Sequence, residues 1–249
     1  MAISHASLSI VSMLFLAGSI VMMFFVVLAG VSNTTPLNNT YFLSADTSGI
    51  TGARDRTQWT YFYMCSPGNV DCSGAWPAPA FGWAWSGSPS NAPSELIGSD
   101  GGDTTNRYYY LMWRFGWVFW LISLFFAVIA FFSGFLACCG RLGSAVAGFT
   151  TAVALFFFTI AVSLMTAEFV KARNAFRAAN RDAEIGTWAF GFSWGAWAAL
   201  LISLVLYCIG TRAGKEKSPS GGRRWGRQKS VRSRRSYDMG SRRVKDDYS

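Results

Sequence analysis

The sequence predicts an all-α membrane protein: a four-transmembrane-helix bundle that carries a small, disulfide-bearing extracellular β-sheet. The 249 residues are 51% hydrophobic and 14% charged. Four stretches exceed the roughly 20 apolar residues that a spanning helix needs, and none contains Asp, Glu, Lys, Arg or His. The entire net charge of +9 lies in residues 212–249, because the bases and acids before them cancel.

The four spans are predicted at about 8–31, 115–139, 144–167 and 187–210 of a membrane domain that covers residues 1–211. The loops 32–114 and 168–186 join them on one side. The first apolar stretch lacks a basic flank and exceeds the roughly 7–15 residues of a signal peptide. We therefore expect an uncleaved span.

The distribution of bases predicts cytoplasmic termini. This orientation places the tail and Arg141 in the cytoplasm, as the positive-inside rule favours, although the loop 168–186 carries four bases on the outer side. The loop 32–114 contains two cysteines and two sequons, at Asn33 and Asn38, which suits an extracellular loop. Both sequons lie close to the first span, so we do not expect either to be used.

Cys65 and Cys72 are predicted to form a disulfide, since an extracellular loop lies in an oxidising compartment. A metal site is the competing interpretation, but no further Cys or His lies near them. Residues 59–65 are rich in β-formers and predict a strand, and residues 66–69 predict a turn. The stretch 86–102, rich in Ser, Gly and Pro, is expected to be a flexible insertion.

The cysteines at the predicted cytoplasmic ends are candidates for S-palmitoylation or small buried packing residues: Cys138, Cys139 and Cys208. Packing is the preferred interpretation for Cys208. Two series of small residues at four-residue spacing suit close helix packing: Ser144, Gly148 and Ala152, and Gly191, Gly195 and Ala199. We expect them to pack the third span against the fourth rather than to drive self-association.

No motif for catalysis, phosphate binding, metal or cofactor is present, so we expect no enzyme. Transporters usually place ionisable groups within spans, and these spans have none. Glu168 and Lys171, at the outer end of the third span, are expected to be solvated or paired with a loop.

The tail 212–249 is predicted to be disordered, because it has too few apolar residues to form a core. Its bases suit anionic inner-leaflet lipid rather than nucleic acid, and the alternative is an inert tail that only fixes topology. Trp225 is expected at the headgroups, among Arg223, Arg224, Arg227, Lys229, Arg232, Arg234 and Arg235. Phosphorylation would reduce this charge at Ser218, Ser230, Ser233 and Ser236.

Three runs resemble the fungal Sur-seven/PalI family. Residues 137–143 (ACCGRLG) look like its cytoplasmic turn, and residues 163–176 (SLMTAEFVKARNAF) are similar to its third span and second outer loop. Trp59 with Cys65 and Cys72 resembles its extracellular signature, which is also claudin-like. The resemblance covers most of residues 1–211.

The resemblance implies a claudin-like fold and a plasma-membrane protein of eisosomes, tied to membrane organisation, cell-wall integrity and endocytic control. The PalI branch implies the alternative, an auxiliary subunit of ambient-pH signalling, and a channel or transporter is the remaining class. The expected partners are eisosomal proteins, a sterol or sphingolipid at the bundle, and a second copy of the chain.

Overall fold

The computed structural model describes residues 5–137 and 141–213. Four of its helices are long and apolar enough to cross a membrane, which confirms the predicted fold class. The helices are α1 (His5–Val27), α2 (Asp100–Asp103), α3 (Arg107–Ala137), α4 (Arg141–Ala178) and α5 (Thr187–Ala213).

Two helices extend well beyond the predicted spans. α3 begins at Arg107, whereas the span was predicted from residue 115, and α4 continues to Ala178, past residue 167. Once a helix is nucleated, each added residue gains a backbone hydrogen bond, so it need not end with the apolar stretch. The extra turns lie beside the sheet, and we call this the sheet end of the bundle. Residues 138 and 139 of the second predicted span lie outside the described residues.

The four long helices form a ring in which α1 contacts α3 and α5, while α4 contacts α3 and α5. Polar side chains join neighbouring helices: Ser19 Oγ donates to Ala196 O at 2.9 Å, and Ser123 Oγ donates to Ala154 O at 2.8 Å. Trp197 Nε1 donates to Thr159 Oγ1 at 2.9 Å. In lipid, such bonds and close packing hold helices together, since there is no hydrophobic drive for their association.

The two small-residue series do not face each other as expected. A Cβ on Gly148 of α4 would lie 3.4 Å from Tyr207 Cβ of α5, but a Cβ on Gly195 of α5 would lie 3.2 Å from Met22 Sδ of α1. Nothing lies within 4 Å of a Cβ on Gly191. The expected contact between the third and fourth spans is therefore present at Gly148, which lies against α5, and is wrong for Gly195, because α5 turns that residue toward α1.

The sheet is antiparallel, with strand order β3-β2-β1-β4. Leu43 of β1 lies opposite Trp59 of β2 on one side and Ile185 of β4 on the other. The loop between α4 and α5 thus completes a sheet begun by the loop after α1. The strands are β1 (Leu43–Asp46), β2 (Arg56–Trp59), β3 (Met64–Cys65) and β4 (Ala183–Ile185).

The single strand predicted over residues 59–65 is wrong. β2 ends at Trp59, the chain reverses, and β3 begins at Met64. Thr60 stabilises the reversal: its Oγ1 accepts from the backbone N of Tyr63 at 3.2 Å, and its own N donates to Tyr63 O at 2.9 Å. The predicted turn at 66–69 is present, since Ser66 and Val70 pair across it.

The expectation of a flexible insertion at 86–102 is also corrected, because this stretch is fastened to the rest of the sheet end. Ser86 N donates to Thr51 O at 2.9 Å, and Asn91 Nδ2 donates to Gly49 O. Trp83 Nε1 donates to Gly101 O at 2.7 Å. Hydrogen bonds from side chains and backbone therefore hold this stretch in place, although its low hydrophobicity predicted that it would be flexible.

Candidate functional site

Trp59 joins the sheet to the bundle. It is 1% exposed at the end of β2, and its ring centroid lies 5.7 Å from that of Phe176 on α4 and 5.5 Å from that of Phe81. Aromatic side chains bury large apolar areas and favour such offset and tilted contacts. The signature tryptophan therefore anchors the sheet on the last turns of α4.

A second aromatic cluster, centred on Phe42, also joins the sheet to the bundle. Phe42 stacks on Phe169 of α4 with centroids 4.9 Å apart, and it contacts Trp113 of α3 edge-on at 5.6 Å. It also meets Phe190 of α5 at 5.7 Å. Phe42, which immediately precedes β1, thus contacts three helices and fixes the position of the sheet on the bundle.

The predicted disulfide between Cys65 and Cys72 is present. Ser73 N donates to Met64 O at 2.9 Å, so the returning chain pairs with β3 beside the bridge. The bridge closes a short hairpin at the edge of the sheet. A two-residue strand has few ladder hydrogen bonds, and the disulfide stabilises it by restricting the unfolded chain.

Tyr61, in the turn between β2 and β3, is inserted against α3. It is fully buried, and its hydroxyl donates to Trp117 O at 2.9 Å. Its ring lies 5.7 Å from Trp117 and 5.9 Å from Trp120. Burial raises the pKa of the Tyr61 hydroxyl well above its usual value, so the group remains a neutral donor.

Arg56 links three strands on the face away from the bundle. Its Nε donates to Ser44 Oγ at 2.8 Å, and its guanidinium forms ion pairs with Asp182 at 2.9 Å and Glu184 at 3.3 Å. Both carboxylates are largely exposed, so each pair contributes at most about 1 kcal/mol. The geometry fixes the register of β4 more than it adds stability.

Arg181 fastens the loop between α4 and α5 to two other segments. Its guanidinium donates to Ser48 O at 2.9 Å and to Asn91 O at 3.1 Å. Nearby, hydrogen bonds from Ser48 lower the pKa of the Asp46 carboxyl, which therefore stays ionised at neutral pH. Neither arginine was singled out from the sequence.

Glu168 departs from the sequence-based expectation. It is fully buried on α4, and neither carboxyl oxygen has a hydrogen-bond partner among the described residues. It is therefore neither solvated nor paired with a loop. Lys171, one turn further, is exposed and lies 4.2 Å from the centroid of the Tyr108 ring.

At the opposite end of the bundle, a groove of about 400 Å³ runs between α4 and α5. Ser144, Gly148 and Ala152 line it together with Cys208. Cys208 is exposed, so the preferred interpretation as a buried packing residue is wrong. Cys138, Cys139 and every predicted site residue of the tail lie outside the described residues.

The two sequons differ in exposure. Asn33 is exposed, whereas Asn38 is half-buried and its Oδ1 has no hydrogen-bond partner among the described residues. Thr40 of the second sequon is fully buried and donates to Pro36 O at 2.8 Å. The second sequon is thus the less accessible.

The polar residues that join the two loops were not predicted from the sequence, although it contains a weak signal for them. Asp182 and Glu184 are two residues apart, which places them on one face of a strand. Arg56 begins a β-prone run of its own. Their meeting depends on the order β3-β2-β1-β4, which no local pattern contains. In the described part of the chain, no three His, Cys, Asp or Glu side chains are grouped to bind a metal.

Known proteins match this chain over most of its length. The profile of the SUR7/PalI family matches residues 8–206. Protein SUR7 of Candida albicans is 37% identical over 204 residues, which are 80% of this chain and 73% of that protein. SUR7 family protein FMP45 of Saccharomyces cerevisiae is 34% identical over 77% of this chain and 62% of its own length. An uncharacterized plasma membrane protein of the same yeast is 34% identical over 80% of this chain and 66% of its own length.

Proposed function

This chain belongs to the SUR7/PalI family, and from that premise we propose that it is a non-enzymatic organising protein of eisosome-type plasma-membrane domains. In this role it supports membrane organisation, cell-wall integrity and endocytic control. The matched relatives include proteins named SUR7 and one named as a plasma membrane protein. None of those names refers to pH signalling, so they do not favour the pH-signalling alternative.

The observation that carries this proposal is how the spans use their polar groups. Ser12 Oγ donates to Ser203 O at 2.8 Å, and Ser19 and Ser123 likewise donate to carbonyls of neighbouring helices. Together with the absence of ionisable residues from the four apolar stretches 8–31, 115–139, 144–167 and 187–210, this favours a packed bundle over an ion path. A rigid bundle with a sheet fixed to it suits a protein with a structural role in the membrane.

We further propose that the sheet end faces the outside and both termini face the cytoplasm. The Cys65–Cys72 disulfide supports this orientation, because disulfides persist in oxidising compartments. The basic tail supports it independently through the positive-inside rule. Anionic inner-leaflet lipid is then the proposed partner of the tail, with a sterol or sphingolipid at the bundle.

Fluorescent tagging of the full-length chain tests the localisation. Because the proposed partners are fixed cortical assemblies, we expect static patches at the plasma membrane that recover slowly after photobleaching. Diffuse signal in the endoplasmic reticulum or the vacuole would reject the proposal. A plasma-membrane dye in a second colour provides the reference for the cell surface.

Replacing the tail bases with glutamine tests the lipid contact. Each base near an anionic surface contributes about 1 kcal/mol, so we expect binding to anionic vesicles to weaken by at least about tenfold. The measurement is vesicle capture by the full-length chain in neutral-lipid nanodiscs at low salt. The changed bases are Arg223, Arg224, Arg227, Lys229, Arg232, Arg234 and Arg235.

The matched control neutralises the acids of the same tail, Glu216, Asp238, Asp246 and Asp247. Because this change raises the net positive charge, vesicle capture should increase. Equal capture by all three chains would refute the electrostatic contact.

A further inference from the structure

An open cavity of about 380 Å³ lies at the sheet end, between the start of α3 and the last turns of α4. Its volume falls within the range of about 300–1,000 Å³ that is typical of small-molecule sites. Every lining side chain is polar: Glu95, Asn106, Tyr108, Tyr109, Lys171 and Asn174.

The loop that contributes Glu95 to the wall of the cavity is fixed to the start of α3, which forms the floor. Asn106 N donates to Leu96 O at 2.7 Å, and Leu96 is fully buried. Asn106 Oδ1 accepts from the backbone N of Tyr108 at 3.0 Å at the start of α3. The cavity is therefore formed before any ligand arrives, which lowers the entropy cost of binding.

Tyr109 forms the floor and has an unused donor. It is 6% exposed and held edge-on against Phe81, with ring centroids 5.9 Å apart. The Tyr109 hydroxyl is not a buried group without a partner: no hydrogen bond to another described residue engages it, and it is open to the cavity. A ligand oxygen in the cavity can therefore accept a hydrogen bond from this hydroxyl.

The remaining lining groups offer donors, acceptors and an aromatic face. Asn174 Oδ1 accepts from Arg173 at 3.0 Å, and Asn106 Oδ1 is also bonded, so each amide presents its Nδ2 group. Glu95 supplies carboxylate acceptors, and Lys171 supplies an ammonium group above the Tyr108 ring. One acid and one base cancel, which disfavours a ligand of high charge.

We propose that this cavity binds a neutral pyranose ring. Such a ring has several hydroxyls, each both donor and acceptor, and an apolar face of C–H groups that can lie on a tyrosine ring. Under the orientation proposed above, on which this inference rests, the ring comes either from a free oligosaccharide or from a glycolipid headgroup in the outer leaflet. Both sources present the same chemistry to the cavity.

Binding is tested with the full-length chain in nanodiscs. One arm measures saturation transfer from methyl β-D-glucopyranoside, methyl α-D-mannopyranoside and methyl N-acetyl-β-D-glucosaminide. The other arm uses mass spectrometry to compare retention of glucosylceramide with that of ceramide. Tyr109→Phe removes the floor hydroxyl but keeps the ring, and we expect affinity to fall by about twofold to tenfold, the value of one neutral hydrogen bond. Tyr110→Phe, one residue outside the lining, is the matched control and should leave affinity unchanged.

Saturation transfer from a free pyranoside supports the proposal with an oligosaccharide source, and selective retention of glucosylceramide alone supports it with a glycolipid source. The absence of both signals overturns it, as does equal weakening by Tyr109→Phe and Tyr110→Phe. Competition by inorganic phosphate would overturn the neutral assignment. Static patches without sugar binding would refute this inference while the proposed function stands. Diffuse signal with intact sugar binding would do the reverse.

Discussion

Replacing Trp59 with alanine should lower the free energy of unfolding by about 3–5 kcal/mol, the cost of removing a fully buried tryptophan from a packed core. Trp59 is 1% exposed and contacts both Phe176 of α4 and Phe81. Its loss would leave a cavity between the sheet and α4. The measurement is the thermal unfolding midpoint of the purified chain in nanodiscs, followed by near-ultraviolet circular dichroism.

Two further variants separate the anchoring role of Trp59 from a general effect of tryptophan loss. Trp76 is 54% exposed, so Trp76→Ala should change the midpoint far less. Trp59→Phe should cost less than Trp59→Ala, because the indole Nε1 has no hydrogen-bond partner among the described residues. Equal midpoints for Trp59→Ala and Trp76→Ala would show that Trp59 does not anchor the sheet.

Removing the disulfide by the double change Cys65→Ser and Cys72→Ser should cost about 2–5 kcal/mol, as is typical for a native bridge in a small structured region. The loss should affect the edge of the sheet first, because β3 has only two residues, Met64 and Cys65. Hydrogen exchange read by mass spectrometry should show faster exchange in residues 56–73. Exchange in the helices should change little.

Cys208→Ser is the matched control, since Cys208 is an exposed free thiol on α5. It should leave exchange near the sheet unchanged. A reducing agent should reproduce the effect of the double variant in the wild-type chain and have no further effect on the variant. Unaltered exchange in residues 56–73 after loss of the bridge would argue against its stabilising role.

The bundle was the most predictable part of the fold, because lipid imposes strong constraints on a spanning segment. A stretch such as 187–210, long, apolar and free of ionisable residues, can cross a bilayer only as a helix. The ends of α3 and α4 were less predictable, because hydropathy indicates which residues lie in the membrane and not where a helix begins or ends. The turns of α4 after residue 167 pack against the sheet, and the turns of α3 before residue 115 pack against Phe42 and Phe81, which lie outside the strands.

The sheet was predictable only in part. The disulfide could be predicted from the compartment and the spacing of the two cysteines. The strand propensity of residues 59–65, in contrast, is the same whether they form one strand or the ends of two strands joined by a turn. Tertiary contacts decide between them: Tyr61 reaches Trp117 O only if the chain turns. Arg56 with Asp182, and the cavity around Tyr109, bring together segments distant in sequence, so their contacts depend on the topology.

The proposed role of this chain, organising membrane domains that support the cell wall, is tested most directly by the concentration of a cell-wall-binding dye that halves colony growth of its host. We predict that deletion of the chain lowers this concentration, that the wild-type chain restores it, and that Trp59→Ala restores it less than Trp76→Ala. Unchanged dye tolerance in the deletion strain would contradict the claim.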